Sequence, residues 1–134
     1  MEVFTKTIKV SRDDLDELQH VNNVRYVQWI QDISREHWLS VATPELLQAT
    51  VWVVRKHEIE YKRPALLGEA IRIRTYITDT RGPLSTRVVE MYQPGNTGPL
   101  LSSRTTWCLL NVKTLRPMRI PREISALFMG NGGN

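Results

Sequence analysis

The residues best able to do chemistry crowd into one stretch, Asp13-Asp14-Leu15-Asp16-Glu17-Leu18-Gln19-His20-Val21-Asn22-Asn23-Val24-Arg25-Tyr26. Four carboxylates, Asp13, Asp14, Asp16 and Glu17, fall within five positions. They precede a segment of helical periodicity, where the helix dipole favours negative charge. One reading of the cluster is electrostatic: a stabilised helix end and a well-solvated surface. The other is chemical. A carboxylate in this place can serve as base or nucleophile. The first N–H groups of the helix have no intrahelical partner and point where an oxyanion would form. Asn22 or Asn23 is placed to cap the same helix end, which is compatible with either reading.

The other chemically capable residues are scattered. His20, His37 and His57 show no metal-ligand spacing, so no metal is expected. His20 is a loop-positioning or pocket-lining residue, and His37 falls on an apolar helix stripe as a hydrogen-bonded core residue. Cys108 lies between Trp107 and Leu109 in a strand-like run and reads as buried and inert. The serines and threonines form no nucleophile elbow.

The elements that must hold the acidic stretch follow from hydrophobic period. Residues 2 to 12 carry Phe4, Ile8 and Val10 on even positions, a first strand. Residues 13 to 22 are a polar loop. Tyr26, Val27, Ile30, Ile33, His37 and Trp38 then recur at three- and four-residue steps, a helix from about Asn22 to Val41. Thr43-Pro44 ends it or starts a short helix over 45 to 48. Strands follow at 50 to 63, 68 to 80, 84 to 93 and 100 to 112, divided by Pro64, Arg81-Gly82-Pro83 and the Gly/Pro-rich run 94 to 99. The chain is expected to stay β-like to near its end and to finish in a frayed tail over 129 to 134. Short turns favour antiparallel neighbours, and one long helix needs a sheet on which to bury its stripe. The expected class is α+β, one domain spanning 1 to 134, with a curved antiparallel sheet wrapped around a central helix. Its edge strands need cover, and pairing with a second copy supplies it, so a homo-oligomer, dimer or tetramer, is expected.

Composition sets the bounds. With 134 residues there is room for one core. Hydrophobic residues at 41% and charged residues at 24% exclude wholesale disorder. A single cysteine excludes an internal disulfide framework. No apolar run is long enough for a membrane span, and the amino terminus lacks the apolar stretch of a signal peptide. A reduced, cytoplasmic location is the expectation. The net charge of +4 is unevenly distributed: residues 1 to 54 carry −3 and residues 55 to 122 carry +8. A basic half can meet a phosphorylated small ligand, or be a solvated strand face. The basic residues do not cluster into a nucleic-acid motif, so nucleic acid is not an expected partner.

The acidic stretch resembles the hotdog-fold thioesterases of the 4-hydroxybenzoyl-CoA thioesterase type, including the long-chain acyl-CoA thioesterases. The resemblance rests on Asp14-x-Asp16, His20-Val21-Asn22-Asn23 and Tyr26. It continues in Ile59-Glu60-Tyr61-Lys62-Arg63-Pro64-Ala65, in Leu67-Gly68-Glu69 and in Arg116-Pro117-x-x-Ile120-Pro121, and covers roughly residues 4 to 124. It implies a hotdog fold and hydrolysis of an acyl-CoA or acyl carrier protein thioester to free acid and thiol. It makes Asp16 the catalytic carboxylate, either attacking the thioester carbon or activating water, and the main-chain N–H of Asn23 the oxyanion donor. His20 accompanies them in the catalytic loop, and Asn22 and Tyr26 join the substrate-binding set. No cofactor is implied, because coenzyme A is part of the substrate.

Related enzymes hold the coenzyme A nucleotide outside the sheet, often against basic groups of a neighbouring subunit. Lys62, Arg63, Arg81 and Ser85 are the candidates here. Tyr26, Trp29, Ile30 and Trp52 are candidates for the acyl pocket or for plain core. One departure stands out: many relatives have Gly where this chain has Gln19, and Gly permits a left-handed backbone or close ligand approach. Two other functions fit less well. A hotdog hydratase would use Asp16 and His20, but the Asn-Pro expected between them is missing. A non-catalytic acyl-thioester or carrier-protein binder would have no need of Asp16.

Overall fold

The computed structural model describes residues 2–129. The chain order is strand β1 (Phe4–Lys9), a 3-10 turn (Arg12–Asp14), helix α1 (Asn23–Val41), helix α2 (Pro44–Ala49), strands β2 (Thr50–Tyr61), β3 (Ala70–Arg81), β4 (Leu84–Tyr92) and β5 (Leu101–Asn111), then helix α3 (Arg122–Met129). The five strands form one antiparallel sheet in the order β1-β3-β4-β5-β2, so β1 and β2 are its edges.

α1 begins where the sequence changes period. Asn22 is its N-cap, with Oδ1 accepting from Val24 N–H at 3.0 Å. The helix then buries Tyr26, Ile30, Ile33, Ser34, His37 and Trp38 along one face. The amino-terminal half of that stripe packs with Ile71, Ile73, Val89, Met91 and Leu101 of the sheet. The carboxyl-terminal half packs with Ile77, Leu109 and Phe128. In β3 the alternation of Ile71, Ile73, Thr75 and Ile77 with Arg72, Arg74 and Tyr76 puts the first set inward. Cys108 is buried and free.

The expected loop over 13 to 22 is present; it begins in the 3-10 turn and carries a miniature hairpin closed by a Leu15–Val21 bridge. One expectation needs correction. The final segment is not β-like but helical, because Ile124 and Phe128, one helical turn apart, both bury their side chains. Met129 ends α3, and the rest of the expected tail, residues 130 to 134, lies outside the described residues. Among the described residues no helix is long and apolar enough to cross a membrane.

A buried polar chain crosses the core behind α1. Arg87, 4% exposed, donates through Nη1 to His37 Nδ1 at 3.0 Å and to Thr75 Oγ1 at 2.9 Å. Since Nδ1 accepts, His37 carries its proton on Nε2, which donates to Glu2 Oε1 at 3.1 Å. Burial, and then the charge of Arg87, hold the His37 pKa below its ordinary 6.5. Burial lowers that of His57 as well. Both imidazoles therefore take up protons less readily in the folded chain than in the unfolded chain as pH falls below about 6.5. Folding stability should be fully present above about pH 6.5 and decline as pH falls from there through the folded-state values, by at most about 1.4 kcal/mol per pH unit for each proton. Urea unfolding across this range should show the decline, and His37→Gln with His57→Gln should flatten it. A flat wild-type profile would remove this reading.

Candidate active site

The acidic loop sorts its carboxylates by what they touch. Asp14 is buried. Its Oδ2 accepts from Ser11 N–H at 2.8 Å and from Ser11 Oγ at 3.2 Å. Its Oδ1 lies 3.2 Å from Arg25 Nε, and its carbonyl accepts from Asn22 N–H at 2.8 Å. All these contacts tie the strand exit to the first turn of α1, so Asp14 holds the junction together. Asp13 and Glu17 are more peripheral, and the main-chain oxygen of Asp13 lies 3.5 Å from Arg25 Nη2.

Asp16 stands at the head of the hairpin and is partly exposed. Its N–H donates to His20 O at 2.7 Å, and its own carbonyl accepts from Gln19 N–H at 3.1 Å. Its side-chain Oδ1 accepts from Leu18 N–H at 2.9 Å and from His20 N–H at 3.2 Å. One carboxylate oxygen is thereby locked in place by main-chain donors. The other, Oδ2, has no hydrogen-bond partner among the described residues. His20 acts on this arrangement through its backbone, which bonds Asp16 in both directions, while an isolated bridge joins it to Leu66.

The turn that makes this possible runs through Gln19 at φ +64°. The left-handed conformation that glycine would adopt freely is therefore present with a side chain on it. In the first turn of α1, Val24 N–H is taken by Asn22 Oδ1 and Arg25 N–H by Asn22 O at 2.9 Å. The N–H of Asn23 has no such partner among the described residues. The loop–helix junction thus presents one disengaged carboxylate oxygen and one disengaged main-chain donor.

Other candidates occupy different places. Tyr26 is 3% exposed and its Oη accepts from Ala65 N–H at 2.9 Å, so it pins the Pro64-Ala65 turn beneath the loop. Burial raises its pKa, against the lowering effect of the Ala65 bond. Trp29 and Tyr61 pack edge-on to it, and Ile30 is fully buried in the same core. Arg63 is engaged by Gln93 Oε1 at 2.9 Å and Gly98 O at 2.7 Å. Lys62 is exposed and pairs with Glu60 at 3.3 Å. Arg81 is exposed at the far end of β3, about 35 Å along the strand from the end beside the acidic loop, at ~3.3 Å per residue. Ser85 is not at the outer surface but 2% exposed on the inner face of β4. Within one chain, Arg81 and Asp16 do not meet.

A cavity of about 500 Å³ lies beside the second half of α1 and is lined in part by Trp38, Trp52, Ser85 and Arg87. Asp16 is not among its lining residues. Trp52 was legible as a candidate from its apolar strand position, whereas nothing in the local pattern marks Arg87 as buried.

Comparison with known proteins fits this fold. The 1,4-dihydroxy-2-naphthoyl-CoA thioesterase from Synechocystis superposes with a TM-score of 0.83 at 14% identity, covering 98% of each chain. A thioesterase from Thermus thermophilus, solved in complex with coenzyme A and Zn, superposes with a TM-score of 0.83 at 20% identity, covering 97% of this chain and 94% of that one. The fold is the hotdog fold of such thioesterases. The long-chain acyl-CoA thioesterase FadM of Escherichia coli (strain K12) is 24% identical over 124 residues, 87% of this chain and 90% of that one. The family model described as acyl-ACP thioesterase N-terminal domain matches residues 1–128, and the chain belongs to that family, a family of thioester hydrolases.

Two expectations test the loop. Asp14→Ala strands Ser11 N–H and Arg25 and should lower stability by about 1–3 kcal/mol in urea unfolding; an unchanged midpoint would show that the junction is held elsewhere. Gln19→Gly removes a left-handed side chain and should leave stability unchanged or raise it by up to about 1 kcal/mol. A clear loss on this substitution would mean that the Gln19 side chain contributes more than its backbone strain costs.

Proposed function

We propose that this chain hydrolyses an acyl-CoA thioester, with Asp16 as the reacting carboxylate and the N–H of Asn23 as the oxyanion donor. The observation that carries the reading is the pair of disengaged groups at one loop–helix junction, Asp16 Oδ2 and Asn23 N–H. A carboxylate oriented through its other oxygen needs little rearrangement to react. A free N–H at a helix start carries a partial positive charge suited to a developing oxyanion.

Two routes begin here. In the first, Asp16 Oδ2 bonds to the thioester carbon, the C–S bond breaks, thiolate departs, and water then cleaves the acyl–Asp16 anhydride. In the second, Asp16 takes a proton from a water whose oxygen attacks the same carbon, and the C–S bond breaks as the thiolate is protonated. Both yield free acid and thiol, and in both the carbonyl oxygen gains negative charge opposite Asn23 N–H. His20 and Asn22 serve as positioning residues, the first by bonding Asp16 through its main chain and the second by capping α1.

Coenzyme A binding is drawn from the resemblance and from relatives solved with coenzyme A. Arg81 stands at the opposite end of the sheet from Asp16, so its contribution to the nucleotide's phosphates requires a second copy of the chain. β2 is suited to such a contact: it is a 12-residue edge strand with Val51 and Val53 exposed.

Thiol release from a panel of short, long and aromatic acyl-CoA esters tests the reading. Asp16→Asn keeps an Oδ1 acceptor for Leu18 and His20, so the loop should stay folded. It should nevertheless lose about 10²–10⁴-fold in kcat. Trapping of a single-turnover acyl-enzyme with hydroxylamine separates the anhydride route from the water route. Unchanged hydrolysis by Asp16→Asn, or none by the wild type on any ester, would defeat the assignment.

A further inference from the structure

The cavity beside the second half of α1 has an apolar wall and a polar floor. Trp38 and Leu39 of α1, Leu47 of α2 and Trp52 of β2 supply the wall, and Ser85, Arg87 and Trp107 belong to the same lining. These last three form one patch of the sheet. Ser85 and Arg87 are two positions apart on β4 and therefore share a face. Trp107 of β5 is the direct cross-strand partner of Ser85 and shares it as well.

Each of the three keeps one buried polar atom without a hydrogen-bond partner among the described residues: Ser85 Oγ, Arg87 Nε and Trp107 Nε1. All three can donate, and two of them can only donate. A buried donor left unpaired is destabilising, so three on one face of the sheet call for an acceptor. The acceptor should also be anionic. Arg87 is 4% exposed, and its Nη1 contacts are to neutral groups, His37 and Thr75. No carboxylate pairs with it directly among the described residues; Glu2 is reached only through the imidazole of His37. Burial brings its pKa down to about 9, which still leaves it charged at neutral pH. A buried cation of this kind is ordinarily matched by a counter-charge.

We propose that this cavity binds the carboxylate of an apolar acid, with the carboxylate held by Arg87, Ser85 and Trp107 and the tail laid against Trp38 and Trp52. A carboxylate has two oxygens and enough lone pairs for three donors. Such a group comes from either of two sources, the free acid released by thioester hydrolysis or the distal carboxylate of an acyl chain that bears one at its far end. Site occupation by the first is product retention; by the second it is substrate selection, which rests on the thioesterase reading above. Binding of the acid itself can be measured whether or not the chain hydrolyses anything.

The test is calorimetric titration with dodecanoate below its micelle concentration, against dodecan-1-ol, with tryptophan fluorescence as a second readout because Trp38, Trp52 and Trp107 line the cavity. The wild type should bind the acid at least about tenfold tighter than the alcohol. Ser85→Ala and Arg87→Met should each erase most of that difference while leaving the weaker alcohol binding in place. If Arg87→Met fails to fold, Ser85→Ala and Trp107→Phe carry the same test. Equal binding of acid and alcohol, no binding of either, or acid binding unchanged in the variants would overturn the proposal. Competitive inhibition of hydrolysis by dodecanoate that weakens in Ser85→Ala assigns the site to product. A higher kcat/KM for the ω-carboxydodecanoyl ester than for the dodecanoyl ester, lost in Ser85→Ala, assigns it to substrate. Loss of hydrolysis on every ester with acid binding intact defeats the thioesterase reading and leaves this one standing.

Discussion

One helix cannot cover five strands. An α-helix with its side chains is about 10 Å wide, whereas five strands spaced about 4.8 Å apart span roughly 19 Å between the outer axes. α1 packs principally over β1 and β3, with its buried stripe reaching the inner residues of β4 and β5. The rest of the inner face has to be closed by other means. α3 packs against β3 and α2 against β2, each at its own end, and a cavity remains between the second half of α1 and β2, β4 and β5. That cavity is a consequence of the mismatch in width.

The same helix divides the molecule into two chemical regions. Its amino end is built from main-chain donors and carboxylates near the surface. There Asp14 closes the junction, and Asp16 has one oxygen fixed and one released. Farther along, the stripe continues through Ser34, His37 and Trp38, and Arg87, His37 and Glu2 form a chain of hydrogen bonds from the core to the surface. At the first region Asp16 is partly exposed and Asp14 is buried but fully partnered. At the second, His37 and Arg87 are sealed, so each must find a partner in protein or ligand. The contrast explains why Asp16 keeps an open oxygen at the loop while the buried Arg87 reaches a carboxylate only indirectly, through an imidazole.

Much of this was legible in the residues. The switch from alternation to a three-and-four step at Asn22 placed α1 to within one residue, and alternating Ile71, Ile73, Thr75 and Ile77 identified the inner face of β3. Gln19, singled out because relatives carry Gly there, does adopt a left-handed φ. α3 was missed although Ile124 and Phe128 stand one turn apart, since eight residues hold too few periods to outweigh the β-like pattern before them. Lys62 and Arg63 look alike in sequence, yet one is a surface ion pair and the other ties two turns together.

Local chemistry was settled by the order of the residues: which segment is helix, where it starts, and which carboxylates stand at that start. Hydrophobic period and capping act over one or two turns, so a single chain reading contains them. Which of those groups were left free was settled by the fold. Asp14 and Asp16 are the same residue type two positions apart, but the fold brings Arg25 of α1 onto Asp14 Oδ1, whereas Asp16 bonds only within its own turn and keeps an open oxygen. The fold also put Ser85, Arg87 and Trp107 into one buried patch, because pairing of β4 with β5 sets Trp107 opposite Ser85, far from it in the chain.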